Sequence, residues 1–234
     1  IVDEVDAFPF VNNHQLEMAV KQACKPCCAL IYLTATPTVK LRHAINTGDL
    51  TGSELPIRFH GHLLPEPHCY PLFTWRRSVK RHQLPSVMRN LLRKCLQEQR
   101  LLLFVPQVRD LEAVQQSVVR ALPHITVNTV HAGDPNQLDK IAAFRAGCGD
   151  VLITTTGLER GVTFKNIAVF VLGAEHVVFT ESVLVQIAGR AGRQQEHAAN
   201  PVYFFYADYT VAIQRACQQI KRQNRKGRRL QSTV

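Results

Sequence analysis

From residue 83 onward the chain alternates short apolar runs with mixed polar and apolar segments. The apolar runs RLLLFVP (100–106), HITVNTV (124–130), DVLITT (150–155), IAVFVLG (167–173) and PVYFFYA (201–207) are of strand length. The segments between them predict helices over 84–99, 107–122, 136–147 and 181–189. A last helix over roughly 209–224 runs into a basic tail. Apolar strands alternating with helices predict an α/β fold with a parallel sheet covered on both faces. Chemistry in such a fold belongs at the carboxyl ends of the strands.

The first 50 residues follow the same grammar but hold less of it. A short strand, IV, opens the chain, and 12–25 predicts a helix ending before Pro26. CCALIYLTAT (27–36) predicts a buried strand, and TVKLRHAI (38–45) a short helix. That is too little for a closed doubly wound sheet, and the expectation is the back half of a domain. TGDLTGSE (47–54), with two glycines among polar residues, predicts the boundary. LPIRFH (55–60) predicts a strand, and the Pro-, His- and aromatic-rich 61–73 an irregular excursion.

Charge changes this picture at two places. All 18 acidic residues precede Tyr209, and beyond it Arg215, Lys221, Arg222, Arg225, Lys226, Arg228 and Arg229 meet no acid. A second cluster lies in RRSVKR (76–81), with Arg76, Arg77, Lys80 and Arg81. Such clusters suit phosphate backbones or anionic membrane surfaces, the plainer alternative being a solvated helix face and a solubilising tail. The seven cysteines are an odd number and scattered, which fits reduced thiols in the cytoplasm better than a disulfide framework. Cys24 and Cys27 have CxxC spacing, but no second pair follows, so zinc is disfavoured against buried thiols.

Candidate chemistry sits where strands end. Asp3 and Glu4 follow an apolar strand; adjacent carboxylates there hold a Mg²⁺-bound water and orient an attacking water, or simply make a turn. Thr34 and Thr36 offer hydroxyls to that acidic loop or caps to the helix from 38, the cap being the stronger reading of the residues alone. TTTGLERGVTF (154–164) offers donors and a tight glycine path for phosphates. In QIAGRAGR (186–193), Arg190 and Arg193 are three apart beside small residues, placing two guanidinium groups for close approach to phosphates. No GxxxxGK[ST] phosphate cradle occurs anywhere in the 234 residues.

DEVD (3–6), TAT (34–36), TTTGLERGVTF and QIAGRAGR occur in the order of superfamily 2 helicase motifs. LLLFVP (101–106), HAG (131–133) and FRAGCGDVLITT (144–155) fit the same second motor domain. The sequence resembles most the ComFA-type late-competence DNA-uptake motors of the superfamily 2 (DEAD/DEAH-like) helicases, in their C-terminal part. The replication helicase PriA is a related, less close match. The resemblance implies a RecA-like helicase C-terminal domain over 51–229, preceded over 1–50 by the tail end of a first RecA-like ATP-binding domain, with 215–234 a basic helix end and tail.

By this resemblance Asp3 and Glu4 are the Mg²⁺ and water-activating pair, with Mg²⁺ held through water, and Thr34 and Thr36 couple hydrolysis to DNA movement. Thr155 and Thr156 match nucleic-acid contacts, Gly161 a nucleotide-side turn, and Gln186 the start of the sixth motif. Arg190 and Arg193 match its ATP-contacting arginines. Thr163 stands where many relatives carry Asp, and a hydroxyl does not supply that charge. The implied cofactors are ATP and Mg²⁺ in the complete two-domain motor. The implied partners are single-stranded DNA, the N-terminal motor domain, and competence DNA-uptake proteins at the membrane. The implied location is the cytoplasm, peripherally on the inner face of the cell membrane. Without a phosphate cradle, the chain alone is expected not to be an ATPase. The alternative is a noncatalytic DNA- or partner-binding module, or a PriA-like fragment.

Overall fold

The structure, a computed structural model, describes residues 1–6, 10, 13–158, 163–192 and 200–232. The chain divides into two compact units, Ile1–Leu55 and Pro56–Val234.

In the first unit, Asn13 caps α1 (His14–Ala23) by accepting from the Leu16 amide at 3.2 Å. Thr38 does the same for α2 (Val39–Thr47) through the Leu41 amide at 3.3 Å, and Gly48 ends that helix in a left-handed conformation. The expected buried strand over 27–36 is not formed as such. One parallel bridge pairs Val2 with Tyr32, and Leu30, Ile31 and Leu33 are 37%, 48% and 46% exposed. Strands at its edges and helices on its faces bury an apolar run; this one has a single bridge on one edge, and neither α1 nor α2 contributes a buried residue.

The second unit is built on β1 (Pro67–Pro71), β2 (Arg100–Phe104), β3 (Val127–Val130), β4 (Val151–Thr154), β5 (Ile167–Leu172) and β6 (Val202–Tyr206). Its helices are α3 (Trp75–Lys80), α4 (Ser86–Cys95), α5 (Val108–Ala121), α6 (Gln137–Ala146), α7 (Glu181–Ala188) and α8 (Val211–Gln231). The strands form one six-stranded sheet in the order β1-β6-β5-β2-β4-β3, every pairing parallel. Side chains alternate between the two faces with the period of two that strand geometry dictates. Leu101, Leu103 and Phe170 join Trp75, Met88, Leu92 and Val114 in one core, covered by α3, α4 and α5. Leu102, Phe104 and Val169 join Phe144, Leu184 and Ile213 in the other, covered by α6, α7 and α8.

Three expectations are corrected here. LPIRFH is not a strand; Phe59 is 98% exposed, and Arg58 turns instead toward the end of α7. The excursion over 61–73 contains β1, whose flanking prolines are tolerated because it is an edge strand paired only with β6. The basic tail is helix as far as Gln231. Asn224 exchanges two hydrogen bonds with the Leu64 backbone at 2.9 and 2.8 Å, and Gln231 donates to the Gly61 carbonyl at 2.6 Å. Gly227 lies so close to this segment that a Cβ there would sit 2.5 Å from Leu63. These contacts give the last turns a partner that composition alone does not reveal.

Candidate nucleotide and nucleic-acid site

In the first unit the acidic loop and the threonine segment meet directly. The Thr36 hydroxyl donates to the Asp6 carboxylate, and both residues are buried. The Thr36 amide in turn donates to the Thr34 hydroxyl at 3.0 Å. Of the two readings, Thr36 makes the contact with the acidic loop while Thr34 braces Thr36, and the cap of α2 is Thr38. Glu4 holds a left-handed backbone, φ 54°, and its amide donates to the Asp3 carboxylate at 2.8 Å. A non-glycine residue in that region is strained, and the turn holds the two carboxylates at adjacent positions with Asp3 exposed. Their hard oxygen ligands fit a water-bound Mg²⁺. Asp6 is the member that residue types alone did not single out; its tie to Thr36 spans 30 positions.

In the second unit the strand ends converge. Because β2, β4 and β3 are adjacent and parallel, their carboxyl ends share one edge. From β2 come Gln107 and Arg109, whose side chains bond to each other at 2.8 Å. Beyond β3 the His131 ring accepts from the Gly133 amide at 3.1 Å, and Asp134 pairs with Lys140 at 2.5 Å. The Lys140 ammonium holds the Asp134 carboxyl below its ordinary value. From β4, Thr154 is buried while Thr155 and Thr156 are half-buried, Thr156 opening a short 3₁₀ turn to Leu158. A Cβ on Gly157 would lie 3.8 Å from Ala132, so the HAG and TTTG loops abut.

Beside this edge, α3 presents Arg76, Arg77 and Lys80, with Arg81 following, all exposed. Arg76 lies 4.4 Å over the Trp75 ring and 3.9 Å from Asp110 at the start of α5. A groove of about 440 Å³ runs between the two helices, lined by Arg76, Lys80 and Arg109 among others. Glu175 fixes α3 in place, accepting from the Trp75 indole at 3.2 Å and from the Ala207 amide at 3.1 Å. Gly173 makes room for that indole; its φ is +72°, and a Cβ would lie 2.5 Å from the ring. Neither α3 nor the Glu175 clamp shows in the local sequence pattern, because the clamp's partners lie 100 and 32 residues away.

The sixth-motif segment follows α7, whose start is capped by Thr180 through the Val183 amide. Gln186 is half-buried and Arg190 only 4% exposed. Arg58 holds this turn: its guanidinium donates to the carbonyls of Ala191 at 2.8 Å, Gly192 at 2.6 Å and Gly189 at 3.0 Å. These carbonyls lie in the turn just past α7, and a planar fork satisfies three at once. Burial pushes the nearby His60 imidazole down, and Arg58 and His62 push it further. Thr163 is exposed. Gly161 and Arg193 lie outside the described residues. Among the described residues no group of three or more His, Cys, Asp or Glu is placed to hold a metal ion, and Cys27 and Cys28 are exposed thiols, not buried ones.

Comparison with known proteins agrees with this geometry. The helicase conserved C-terminal domain family matches residues 83–195. The competence protein ComFA of Bacillus subtilis is 38% identical over 234 residues, all of this chain and 50% of that protein. The Streptococcus pneumoniae competence protein ComFA is 35% identical over 226 residues, 96% of this chain and 52% of that protein. The chain thus spans about half the length of these relatives. Among solved structures, S. cerevisiae Dbp5 bound to RNA and ADP BeF3 matches with a TM-score of 0.62 at 15% identity, over 94% of this chain and 56% of that one. Mycobacterium smegmatis helicase Lhr bound to ssDNA and AMP-PNP matches with a TM-score of 0.53 at 14% identity, over 70% of this chain and 22% of that one. These structures share the fold, a RecA-like parallel sheet. The chain is thus similar along its whole length to about half of the ComFA competence proteins, and it carries a helicase C-terminal domain.

Proposed function

We propose that this chain is part of an ATP-dependent single-stranded DNA translocase that serves DNA uptake in competence. The observation that carries the proposal is the shared edge of β2, β3 and β4, where Arg109, the HAG loop and Thr155–Thr156 stand beside the cations of α3. Hydroxyls, backbone amides and guanidinium groups in that arrangement hold a phosphate backbone without reading bases. The complete motor binds ATP and Mg²⁺ between two RecA-like domains, with residues 1–50 the last part of the first. Asp3 and Glu4 would hold the Mg²⁺ through water, which would activate the attacking water, and Thr34 and Thr36 would tie their loop to the movement of the domain. By the family resemblance Gln186, Arg190, Arg193, Gly161 and Thr163 are the residues of the second domain that act on ATP, and Arg58 holds the turn after α7 through three carbonyls. Bound ATP supplies the free energy of domain closure and reopening. Its location is cytoplasmic, at the inner face of the membrane beside other uptake proteins.

The purified 234-residue chain, whose sequence holds no GxxxxGK[ST] cradle, is expected to show no Mg²⁺-dependent ATPase activity with or without single-stranded DNA. A robust rate that Arg190→Ala abolishes overturns that assignment of roles. Joined to a P-loop domain, the same chain hydrolyses ATP in a DNA-stimulated way, and Thr155→Ala/Thr156→Ala lowers the stimulation. Stimulation unchanged by that pair removes the strand-end edge from the DNA path.

A further inference from the structure

The strand-end edge leaves the most basic element of the chain unexplained. Between Val211 and Gln231, α8 carries Arg215, Lys221, Arg222, Arg225, Lys226, Arg228 and Arg229 and no acid. Seven residues make nearly two helical turns, so Arg215, Arg222 and Arg229 fall in one line, with Arg225 beside it. The line is about 21 Å long at 1.5 Å per residue. All four of these arginines are exposed, with Lys221 and Arg228 on one flank. The opposite stripe, Ile213, Ala216, Cys217 and Ile220, is buried in the core. The helix is held as a rod: Asn224 is tied to Leu64 and Glu66, Arg228 pairs with Glu66 at 3.1 Å, and Gln231 reaches Gly61. Its cations are therefore presented in a fixed row and not on a mobile tail.

We propose that the outer face of α8 is a second nucleic-acid surface, one that grips a phosphate backbone without regard to sequence. It is separate from the strand-end site, because α8 packs on one face of the sheet and α3 on the other. It does not rest on the motor reading, since a row of guanidinium groups holds phosphates with or without ATP. Charge complementarity selects a polyanion. A bilayer is the poorer occupant: the exposed large apolar residues of α8 are Val211 and Leu230, at its two ends, so the stripe has nothing to insert. The stripe also carries no aromatic residue for bases to stack on, which leaves phosphates as its contacts.

The test is fluorescence anisotropy of a labelled oligothymidine of about 20 nucleotides with the whole chain, from about 50 to about 300 mM KCl. Arg215→Glu/Arg222→Glu/Arg225→Glu changes exposed positions only, and circular dichroism checks its fold. Reversal of three other exposed cations, Arg120, Arg145 and Lys165, matches the change in net charge. The expected result is about tenfold or greater weakening by the α8 variant and a salt slope shallower by about 2, at roughly 0.7 per phosphate contact on a single strand. The control variant retains most of the affinity and the slope. Equal losses in the two variants, or none in the α8 variant, overturn the proposal. So does a second outcome: the α8 variant loses binding to phosphatidylserine-containing vesicles while its oligothymidine binding is unchanged. The ATPase measurements above are untouched by either result.

Discussion

CCALIYLTAT and IAVFVL are both apolar runs of strand character, yet they have opposite fates. Ile167–Leu172 is wholly buried, paired on both edges and covered on both faces. The run over 27–36 pairs on one edge through one bridge, and neither α1 nor α2 contributes a buried residue. The difference lies in what each run meets, not in its own residues. In the first unit, burial is concentrated instead at Val5, Asp6 and Thr36, where the acidic loop meets the threonine segment. That unit thus has a tied acidic loop with little core of its own, whereas the second has two full cores.

The sharpest way to break this contrast is to cut into β5. Phe170 is fully buried between α3–α5 and the sheet, and Phe170→Ala is expected to cost about 3–5 kcal/mol in urea unfolding. A cost below about 1 kcal/mol means that the second unit is as loosely built as the first. Next in size is Arg58→Ala, which leaves three carbonyls at the end of α7 without their donor. About 2–4 kcal/mol is expected, and Arg58→Lys restores little because an ammonium does not fork across three acceptors. Full rescue by lysine reduces the contact to a matter of charge.

These particulars also mark what was legible. Strands β2 to β6 and the helices between them follow from apolar periodicity, because from residue 83 onward every predicted strand is formed. The threonine, HAG and GRAGR motifs are local strings and read directly. Arg58, Glu175 and Asp6 do not, since each acts on a partner at least 30 positions away. β1 is masked by its own prolines, and the last turns of α8 by a composition that reads as tail until Asn224 meets Leu64.

A smaller effect tests how firmly α8 is held. The Asn224 amide, and then Arg228, lower the Glu66 carboxyl below its ordinary 4.5. A folded value below the unfolded one gives stability that is present above the unfolded value and lost as pH falls through the folded one. Glu66→Gln therefore costs a constant amount, below about 1 kcal/mol for so exposed a group, at neutral pH. That difference begins to shrink as pH drops below about 4.5 and is gone once pH lies below the folded value, which urea unfolding across the acid range measures. A difference that persists at low pH assigns the effect to packing in place of charge.

The smallest expected effect falls on the first unit. Val2 donates to the Ile31 carbonyl at 2.8 Å and Leu33 donates to Val2 at 2.8 Å, but Ile31 itself is 48% exposed. Removing its side chain deletes little buried area and leaves no cavity, so Ile31→Ala costs at most about 0.5–1 kcal/mol. The amides of Val2 and Leu33 exchange with solvent far faster than those of β5, and the substitution changes their protection only a few-fold. If residues 1–50 are the end of a larger sheet, the same substitution in a protein of the relatives' full length costs about 2–4 kcal/mol. A cost that large in the 234-residue chain shows that the first unit possesses a core of its own, and the contrast with β5 then reflects size alone. A cost that stays small at full length shows that no neighbour covers Ile31, and removes the reason to read residues 1–50 as the end of a larger sheet.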